Sequence, residues 1–573
     1  MCGIFGGVGV DESRAIACLN EILRGDDGIS VERYGEVVLG SRRHMVKKSN
    51  KTGIPRGASD QPYETENEAI SLVFNGELYN FSEVKEQLQK LGREFDTDGD
   101  TEVLLRLYEQ FGSGFFAKPE LDALFAVAIF DRDRNALMIA RDWPGRVPLF
   151  YFWDKPTRRF VFSSELKGFG PLDDVSLADP IELKPGTIAT LDLETFELDI
   201  QTYFKPTPKK TKLPLSEVGR ELHQVLLASG RNRTMGDVPI CTMLSGGIDS
   251  VMSSYYVFQG IDYERVDFRP VSYVYQIDDY ESEDVRRACE AAKGFQEIGL
   301  ELKVVKSSGD QLVEDIPHII ELFEMRKIRA LSVYPLPIYY YLAPAMREDG
   351  FKVTVGGHGV DELIGAYDSW KELDKSHEVQ VDVRSRLAFI NAIYENMMRR
   401  ASIIFMNRGP IEARFPFLCP AVCEYMLGID AKWLSLSPEN ANQFLELVSR
   451  FAPHKSAHSE QLKSIMNQLS DYLDNGGIHP PDSPPEDVSE LEKLFWKLPL
   501  IVAGMHASAD SWLDINVLFN AKLRGQHGSG ITSLESKIVE RYSNLGTSDA
   551  AIFEAIAAEK FGTKLPTSDL RTS

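Results

Sequence analysis

The sequence changes character at a short segment rich in proline and lysine, KPTPKKTKLP, at residues 205–214. Before this segment, short runs of β-branched and aromatic residues alternate with turns, a pattern typical of antiparallel sheet. After it, apolar runs alternate with amphipathic segments, which favours a parallel sheet covered by helices. A chain of 573 residues is also too long for one hydrophobic core. We therefore predict two domains, 1–204 and 217–573, joined by a linker at 205–216.

The first region is predicted to be an α+β domain, and the second an α/β domain with a helical C-terminal part. In the first, we predict elements at 69–74, 83–91, 101–110, 124–130, 136–141 and 160–164. In the second, we predict helices and strands in alternation at 215–229, 238–244, 250–259, 269–275 and 283–292. The proline-rich segment at 474–486 is predicted to be an exposed loop.

Charge and cysteine content restrict the partners and the compartment. The formal net charge of -23 at pH 7 repels phosphate backbones, so we expect no nucleic-acid partner. The six cysteines form no CxxC pair, which indicates a reducing compartment without disulfides. We find neither a signal peptide nor an apolar run of about 18 residues, so we expect no membrane association and a cytoplasmic location.

The segment Leu244–Ser250, LSGGIDS, follows an apolar run and opens a predicted helix. Its glycines allow close approach of a phosphate, and the helix N-terminus offers free N–H groups. The candidate ATP-binding residues here are Leu244, Ser245, Gly246, Gly247, Asp249 and Ser250. Asp249 is also placed to hold Mg²⁺, which needs one or two carboxylates besides phosphate oxygens. The alternative is a tight turn with a serine cap.

A companion loop, VGGHGVDE at residues 355–362, follows another apolar run at 351–355. Loops at the carboxyl ends of parallel strands form ligand sites. We therefore predict that Gly356 and Gly357 contribute to the ATP site and that Asp361 and Asp249 hold Mg²⁺ together. The alternative is a glycine-rich turn with surface acids.

Cys2 is a candidate nucleophile if Met1 is removed. The free α-amine then titrates near ~8 and the thiol near ~8.5. The amine can therefore accept the thiol proton directly or through water, as in hydrolases with an N-terminal nucleophile. The alternative is a buried structural cysteine.

Several motifs, in one order along the chain, resemble a known family. MCGIFG, NGELYN, GDTEVL, ARDWPGRVPLFY and SSELK resemble the class II glutaminase domain. SGGIDS, GHGVDE and EARFPFL resemble the synthetase domain of the glutamine-hydrolysing asparagine synthetase family. The resemblance implies an αββα sandwich of the N-terminal nucleophile type, followed by an ATP pyrophosphatase domain.

The resemblance also implies roles for residues of the glutaminase domain. Cys2 would form a glutamyl thioester, and Asn75 and Gly76 would stabilise the oxyanion. Arg43 would bind the α-carboxylate of glutamine. Asp100 would bind its α-ammonium group, and Glu77 belongs to the same pocket.

In the second domain, the resemblance implies that Leu244, Ser245 and Gly357 contact ATP while Asp249 and Asp361 hold Mg²⁺. A carboxylate would attack the α-phosphate, and ammonia would reach the acyl-adenylate through a tunnel. The segment AKLRGQHGSG at 521–530 resembles β-lactam synthetase more closely, and Lys522 would stabilise the pyrophosphate there. The alternative for Lys522 is a solvated surface lysine.

Some positions depart from the family pattern. His358 stands where asparagine synthetases have Glu and β-lactam synthetase has Tyr, so it is either a general base or a residue that shapes the acceptor pocket. Asp26 and Asp27 stand in a segment that normally reads RGPDG. Ile403 and Ile404 replace an Asp-Arg pair, and Cys419 replaces an Asp.

Three functions are compatible with these residues. The leading hypothesis is an amide synthetase that uses ATP, glutamine and a small carboxylic acid, either aspartate or an acid of a specialised pathway. The second is an intramolecular cyclase similar to β-lactam synthetase, and the third is a non-catalytic nucleotide-binding protein. A homodimer is expected from the resemblance alone.

Overall fold

The computed structural model describes most of the chain, in twelve stretches. These are residues 1–47, 60–118, 120–262, 269–278, 282–325, 333–364, 400–434, 436, 438–451, 460–474, 497–519 and 530–562. Lys522 lies outside the described residues, as does the predicted loop from residue 475 onward. None of the described helices combines the length and apolar character needed to cross a bilayer.

The N-terminal part contains two antiparallel sheets, each of six strands among the described residues. The first has the order β10-β8-β9-β1-β3-β2 and the second the order β12-β11-β7-β6-β5-β4. Their strands are β1 (Gly3–Val8), β2 (Ile29–Tyr34), β3 (Val37–Arg42), β4 (Tyr63–Glu64), β5 (Ile70–Leu78), β6 (Ala123–Asp131), β7 (Ala136–Arg141), β8 (Phe150–Asp154), β9 (Arg159–Ser163), β10 (Ile181–Glu182), β11 (Thr187–Asp192) and β12 (Leu198–Thr202).

Three helices cover these sheets: α1 (Glu12–Glu21), α2 (Phe81–Lys90) and α3 (Asp100–Phe111). Successive side chains of a strand point to opposite faces. Accordingly, Val73 of β5 packs between the sheets, whereas its neighbours Leu72 and Phe74 pack under α2 and α3. Both faces of the second sheet are therefore buried, and the predicted αββα sandwich is confirmed.

The C-terminal part contains a parallel sheet of five described strands in the order β15-β14-β13-β16-β17. They are β13 (Ile240–Met243), β14 (Val271–Ile277), β15 (Glu301–Ser307), β16 (Val353–Val355) and β17 (Glu412–Arg414). All four neighbouring pairs run parallel. This confirms the α/β fold expected from the alternation of strands and helices.

The helices of this part surround the sheet and continue beyond it. They are α4 (Leu215–Asn232), α5 (Ile248–Gly260), α6 (Glu283–Lys293), α7 (Gly309–Phe323), α8 (Leu336–Glu348), α9 (Val360–Ile364), α10 (Arg400–Arg408), α11 (Pro420–Gly428), α12 (Pro438–Phe451), α13 (Glu460–Asp474), α14 (Leu498–Asp510), α15 (Glu535–Arg541) and α16 (Asp549–Phe561). Short 3-10 helices lie at Gly112–Ala117, Leu166–Phe169, Gln296–Ile298, Pro416–Leu418, Ala431–Trp433, Ile515–Phe519 and Ile531–Leu534.

Ion pairs connect the two parts of the molecule. Across the described residues, these pairs are Met1–Glu412, Asp26–Arg347, Asp27–Lys352, Asp122–Arg233 and Lys167–Glu324. Several of the partners are fully buried, where charges are paired because an unpaired charge is costly. These ion pairs therefore fix the position of the N-terminal part relative to the C-terminal part.

Candidate active sites

Cys2 lies at the start of β1 and is almost fully buried. Strand β1 pairs with β3 so that Gly3 faces Arg42, which brings the residues after β3 next to Cys2. The backbone N–H of His44 donates to Cys2 Sγ over 3.5 Å. Burial raises the pKa of the Cys2 thiol, although the N-terminal ammonium group opposes this. The thiol is therefore protonated near neutrality and needs a base to become a nucleophile.

Asn75 and Gly76 lie on β5, which continues four residues beyond its predicted end because it pairs with β6 as far as Leu78. Asn75 Nδ2 donates to Ser164 Oγ over 3.1 Å, and the same oxygen accepts the N–H of Ile4 over 2.9 Å. This links Asn75 to β1, two residues from Cys2. A side chain at Gly76 would meet Leu124 O at 2.0 Å, so only glycine fits.

Two carboxyl groups, that of buried Glu77 and that of half-buried Asp100, lie near Cys2 and influence its pKa. Asp100 Oδ2 accepts the N–H of Leu78 over 3.0 Å. Burial raises the pKa of Asp100. Burial and the neighbouring carboxylates Glu412 and Asp100 raise the pKa of Glu77 well above its usual range. A substrate ammonium group would relieve this repulsion, as expected for a glutamine pocket.

Arg43 follows β3 and forms an ion pair with Asp60 through Nη1. Its Nε atom is buried and has no hydrogen-bond partner among the described residues. A cationic fork with a free donor is suited to binding a carboxylate. The structure therefore brings Cys2, Arg43 and the carboxyl groups of the predicted glutamine pocket to one edge of the sandwich.

The N-terminus itself contacts the second domain. The Met1 ammonium group donates to Glu412 Oε2 over 2.7 Å, and both groups are fully buried. Glu412 also accepts from Arg414 Nε over 2.7 Å. Burial raises the pKa of Glu412, but these two cations reverse the effect and lower it. Removal of Met1 would break the first pair and leave Arg414 as the partner of Glu412.

The predicted phosphate loop lies between β13 and α5. Ser250 Oγ accepts the N–H of Ser245 over 3.1 Å and donates to Gly247 O over 2.9 Å, which closes the loop. Gly246 has φ +77°, a conformation that favours glycine, and a side chain there would lie 2.4 Å from the carbonyl carbon of Arg287. These contacts hold the backbone in a shape suited to a phosphate at the start of α5.

The two predicted metal-binding carboxylates lie together, with an unpredicted lysine between them. Lys497 Nζ contacts Asp249 Oδ2, and it lies 2.6 Å from Asp361 Oδ1. Burial lowers the pKa of Lys497, but the two carboxylates outweigh burial and raise it. No local sequence pattern marks Lys497, because its contact with Asp249 spans 248 residues of sequence.

His358 lies in the loop after β16, between Gly357 and α9. Its Nε2 atom is 2.7 Å from Tyr339 Oη, and its ring packs edge-on against Phe415 at a centroid distance of 4.9 Å. Ile403 and Ile404 are fully buried in the hydrophobic core. His358, Ile403 and Ile404 are thus packed against apolar and aromatic side chains.

Among the described residues, the predicted ATP-site residues converge at the carboxyl ends of β13 and β16. Leu244 donates its N–H to Tyr273 O over 2.9 Å, which fixes the first residue of the phosphate loop. A side chain at Gly357 would lie 2.5 Å from the carbonyl carbon of Asp249, so the two loops touch. Gly356 donates its N–H to Arg414 O over 3.1 Å, which connects this edge to β17.

The structure thus combines a buried cysteine at position 2, beside the αββα sandwich, with a phosphate-type loop on a parallel sheet. A family model described as glutamine amidotransferase domain matches residues 1–185, and one described as asparagine synthase matches residues 221–399. The chain therefore matches a glutamine amidotransferase model and an asparagine synthase model in succession, and it is similar to glutamine-hydrolysing asparagine synthetases over most of its length.

Similar curated proteins cover most of this chain. The glutamine-hydrolysing asparagine synthetase of Sandersonia aurantiaca is 26% identical over 454 residues, which cover 77% of this chain and 80% of that protein. A putative asparagine synthetase from Methanocaldococcus jannaschii is 28% identical over 507 residues, which cover 84% of this chain and 88% of that protein. A probable one from Dictyostelium discoideum is 28% identical over 421 residues, covering 71% of each.

Proposed function

We propose that this chain is an ATP-dependent amidotransferase that hydrolyses glutamine at Cys2 and transfers the ammonia to a carboxylic acid. The observation that carries this proposal is the connection of the two sites through one interface. The backbone N–H of His44 contacts Cys2, and its ring contacts Lys352, which directly precedes β16; the loop after β16 leads to Asp361. Ammonia released at Cys2 would therefore cross this interface to reach the second site.

In the glutaminase half-reaction, the free α-amine of processed Cys2 would take the thiol proton, and the thiolate would attack the side-chain amide of glutamine. Asn75 Nδ2 and the backbone N–H of Gly76 would stabilise the oxyanion. Arg43 would hold the α-carboxylate and Asp100 the α-ammonium group. Ammonia would leave, and water would then release glutamate from the thioester.

In the synthetase half-reaction, the acid carboxylate would attack the α-phosphate of ATP, giving an acyl-adenylate and pyrophosphate. Leu244, Ser245 and Gly357 would contact ATP, with the glycines of both loops leaving room for the phosphates. Ammonia would then replace AMP to form the amide. Lys497 is the described cation best placed to neutralise charge on the departing pyrophosphate. Lys522 keeps the same role as a prediction.

Mg²⁺ fits the residues present. Carboxylate oxygens of Asp249 and Asp361 both contact one nitrogen, Lys497 Nζ, so the two groups converge on a single point. Hard oxygen donors in this number suit Mg²⁺ that also binds phosphate oxygens. When bound, Mg²⁺ would reduce the negative charge of the triphosphate.

The acceptor acid is proposed to be aspartate or a related small carboxylic acid. His358, held by Tyr339 and packed on Phe415, would act either as a base for ammonia or as a wall of the acceptor pocket. The intramolecular cyclase is not favoured, because the matched family models and relatives are glutamine-dependent synthetases. A homodimer and a cytoplasmic location remain predictions from the sequence.

A screen of candidate acids tests this proposal. Purified protein is given ATP, Mg²⁺ and glutamine, and pyrophosphate release is measured with each acid in turn, beginning with L-aspartate. We expect release that depends on one class of acid and that persists in Cys2→Ala when ammonia replaces glutamine. The proposal would be contradicted if none of the acids supported pyrophosphate release, or if glutaminase activity survived Cys2→Ala.

A further inference from the structure

The segment that departs from the family pattern near residue 26 faces the second domain. Asp26 pairs with Arg347 at the end of α8, and Asp27 Oδ2 lies 2.8 Å from Lys352 Nζ. Burial raises the pKa of Asp26, but hydrogen bonding to His44 and the charges of His44, Arg347 and Lys352 together lower it to about 2. Asp26 is therefore ionised, and both carboxylates pair with cations of the other domain.

His44 joins this group from the glutaminase side. Its ring is fully buried, with Nδ1 3.3 Å from Asp26 Oδ1 and Nε2 3.4 Å from Lys352 O. Its backbone N–H is the donor to Cys2 Sγ. One residue thus touches the nucleophile through its backbone and the second domain through its side chain. We name Asp26, Asp27, His44, Arg347 and Lys352 the interdomain charge cluster.

The interdomain charge cluster also holds the backbone of Arg43 and Met45, the residues on either side of His44. Asp27 Oδ2 accepts the N–H of Met45 over 2.7 Å, and the N–H of Asp27 donates to Arg43 O over 3.0 Å. The backbone from Arg43 to Met45 is therefore held by an aspartate that is itself held by Lys352. Lys352 directly precedes β16, so its position is set by the parallel sheet.

A metal site is a poorer explanation of this arrangement. Ligand atoms of Asp26, Asp27 and His44 lie within 4.8 Å of one another, a spacing at which a cation could bind. However, Arg347 and Lys352 already pair with both carboxylates, and the cluster spans the domain interface. Asp249 and Asp361 would share Mg²⁺ with the phosphates of ATP, whereas Asp26, Asp27 and His44 adjoin no predicted phosphate site.

We propose that the interdomain charge cluster positions the Cys2 thiol, so that the glutaminase site is complete only when the synthetase domain is docked. His44 is the positioning residue, and Arg347 and Lys352 are the groups of the second domain that hold it. This inference rests on the proposed glutaminase function of Cys2. Arg347 and Lys352 of the second domain would therefore affect glutamine hydrolysis without contacting glutamine.

Arg347→Gln in the full chain is the main test, because Arg347 is about one-third exposed and the variant can fold. We expect kcat for glutamine hydrolysis to fall about threefold to tenfold, as for loss of a partly exposed ion pair. Pyrophosphate release with ammonia and L-aspartate, relative to wild type, is expected to stay unchanged. Arg347→Lys, which keeps a positive charge opposite Asp26 and leaves the Asp26–His44 contact in place, should recover most of the loss.

Lys303→Gln is the matched control, since the Lys303–Asp349 pair has side-chain exposures of 33% and 32% but lies within the second domain. It should leave glutamine hydrolysis unaltered, and the thermal unfolding midpoints of all variants should agree. An Arg347→Gln kcat within twofold of wild type, an Arg347→Lys variant as slow as Arg347→Gln, or an equal loss in the control would overturn the inference. Wild-type protein without glutaminase activity would instead contradict the proposed function itself.

Discussion

Replacing Lys497 with Met tests whether Asp249 and Asp361 form a cation-binding pair. Lys497 is nearly buried, with a side-chain exposure of 5%, and its partners are exposed by 25% and 23%. Removing one partner from a buried pair costs about 3–5 kcal/mol. Because the two carboxylates are partly solvated, we expect about 2 kcal/mol here. At roughly 1–2 °C per kcal/mol for a domain of about 350 residues, the unfolding midpoint should fall by about 2–4 °C.

The stabilisation of each protein by Mg²⁺ shows whether the two carboxylates bind a cation together. In wild-type protein, Mg²⁺ must compete with the Lys497 ammonium group for the two carboxylates. In Lys497→Met the carboxylates repel each other without compensation, so Mg²⁺ binding should stabilise the variant more than the wild type. ATP-dependent pyrophosphate release should be lost in the variant, while glutamine hydrolysis at Cys2 remains.

Thermal unfolding followed by near-UV circular dichroism, with EDTA and with millimolar Mg²⁺, measures both effects. Lys537→Met is the control, because its pair with Asp310 is exposed by 53% and 85% and should contribute nothing measurable. An unchanged midpoint in Lys497→Met, or equal stabilisation of both proteins by Mg²⁺, would show that Asp249 and Asp361 do not form a cation-binding pair.

Three further predictions concern single positions. Arg43→Ala should raise KM for glutamine by about tenfold to a hundredfold, since a guanidinium–carboxylate contact is lost, and steady-state kinetics with an unchanged KM would oppose the assignment. Gly246→Ala should weaken ATP-dependent activity without affecting glutaminase, because its φ of +77° and the neighbouring Arg287 backbone leave no room for a side chain; equal kinetics would contradict this. Asp26 has a folded pKa of about 2 against roughly 3.9 unfolded, so its stabilisation is present above pH ~4 and lost as the pH falls towards 2. The unfolding midpoints of wild type and Asp26→Asn should therefore converge in acid, and a constant difference down to pH ~2 would count against the ion pairs.

The sequence predicts those features whose cause is local. The apolar run ALMIA places β7 at its predicted residues, and Gly246 of the phosphate loop adopts a positive φ that favours glycine. The end of β5 was predicted too early because NGEL contains no apolar run, yet the strand continues by pairing with β6. Pairing between strands is a tertiary effect that a local pattern does not contain.

Features that depend on distant contacts could not be predicted. Lys497 carries no motif, and only the fold brings it to Asp249 and Asp361. Asp26 departs from the family pattern, which the sequence shows, but its partner Arg347 and the Lys352 partner of Asp27 lie in the other domain. Charged side chains of this kind are explained by their partners, not by their neighbours in sequence.

The central claim is that nitrogen released at Cys2 is used at the ATP site. It is tested most directly by supplying glutamine labelled with ¹⁵N in its side-chain amide, with ATP, Mg²⁺ and an acid that supports pyrophosphate release. We expect the label to appear in the amide of the acid product. We also expect Cys2→Ala to abolish this transfer but not synthesis from added ammonia. Label found only in free ammonia, with an unlabelled product or none, would contradict the central claim.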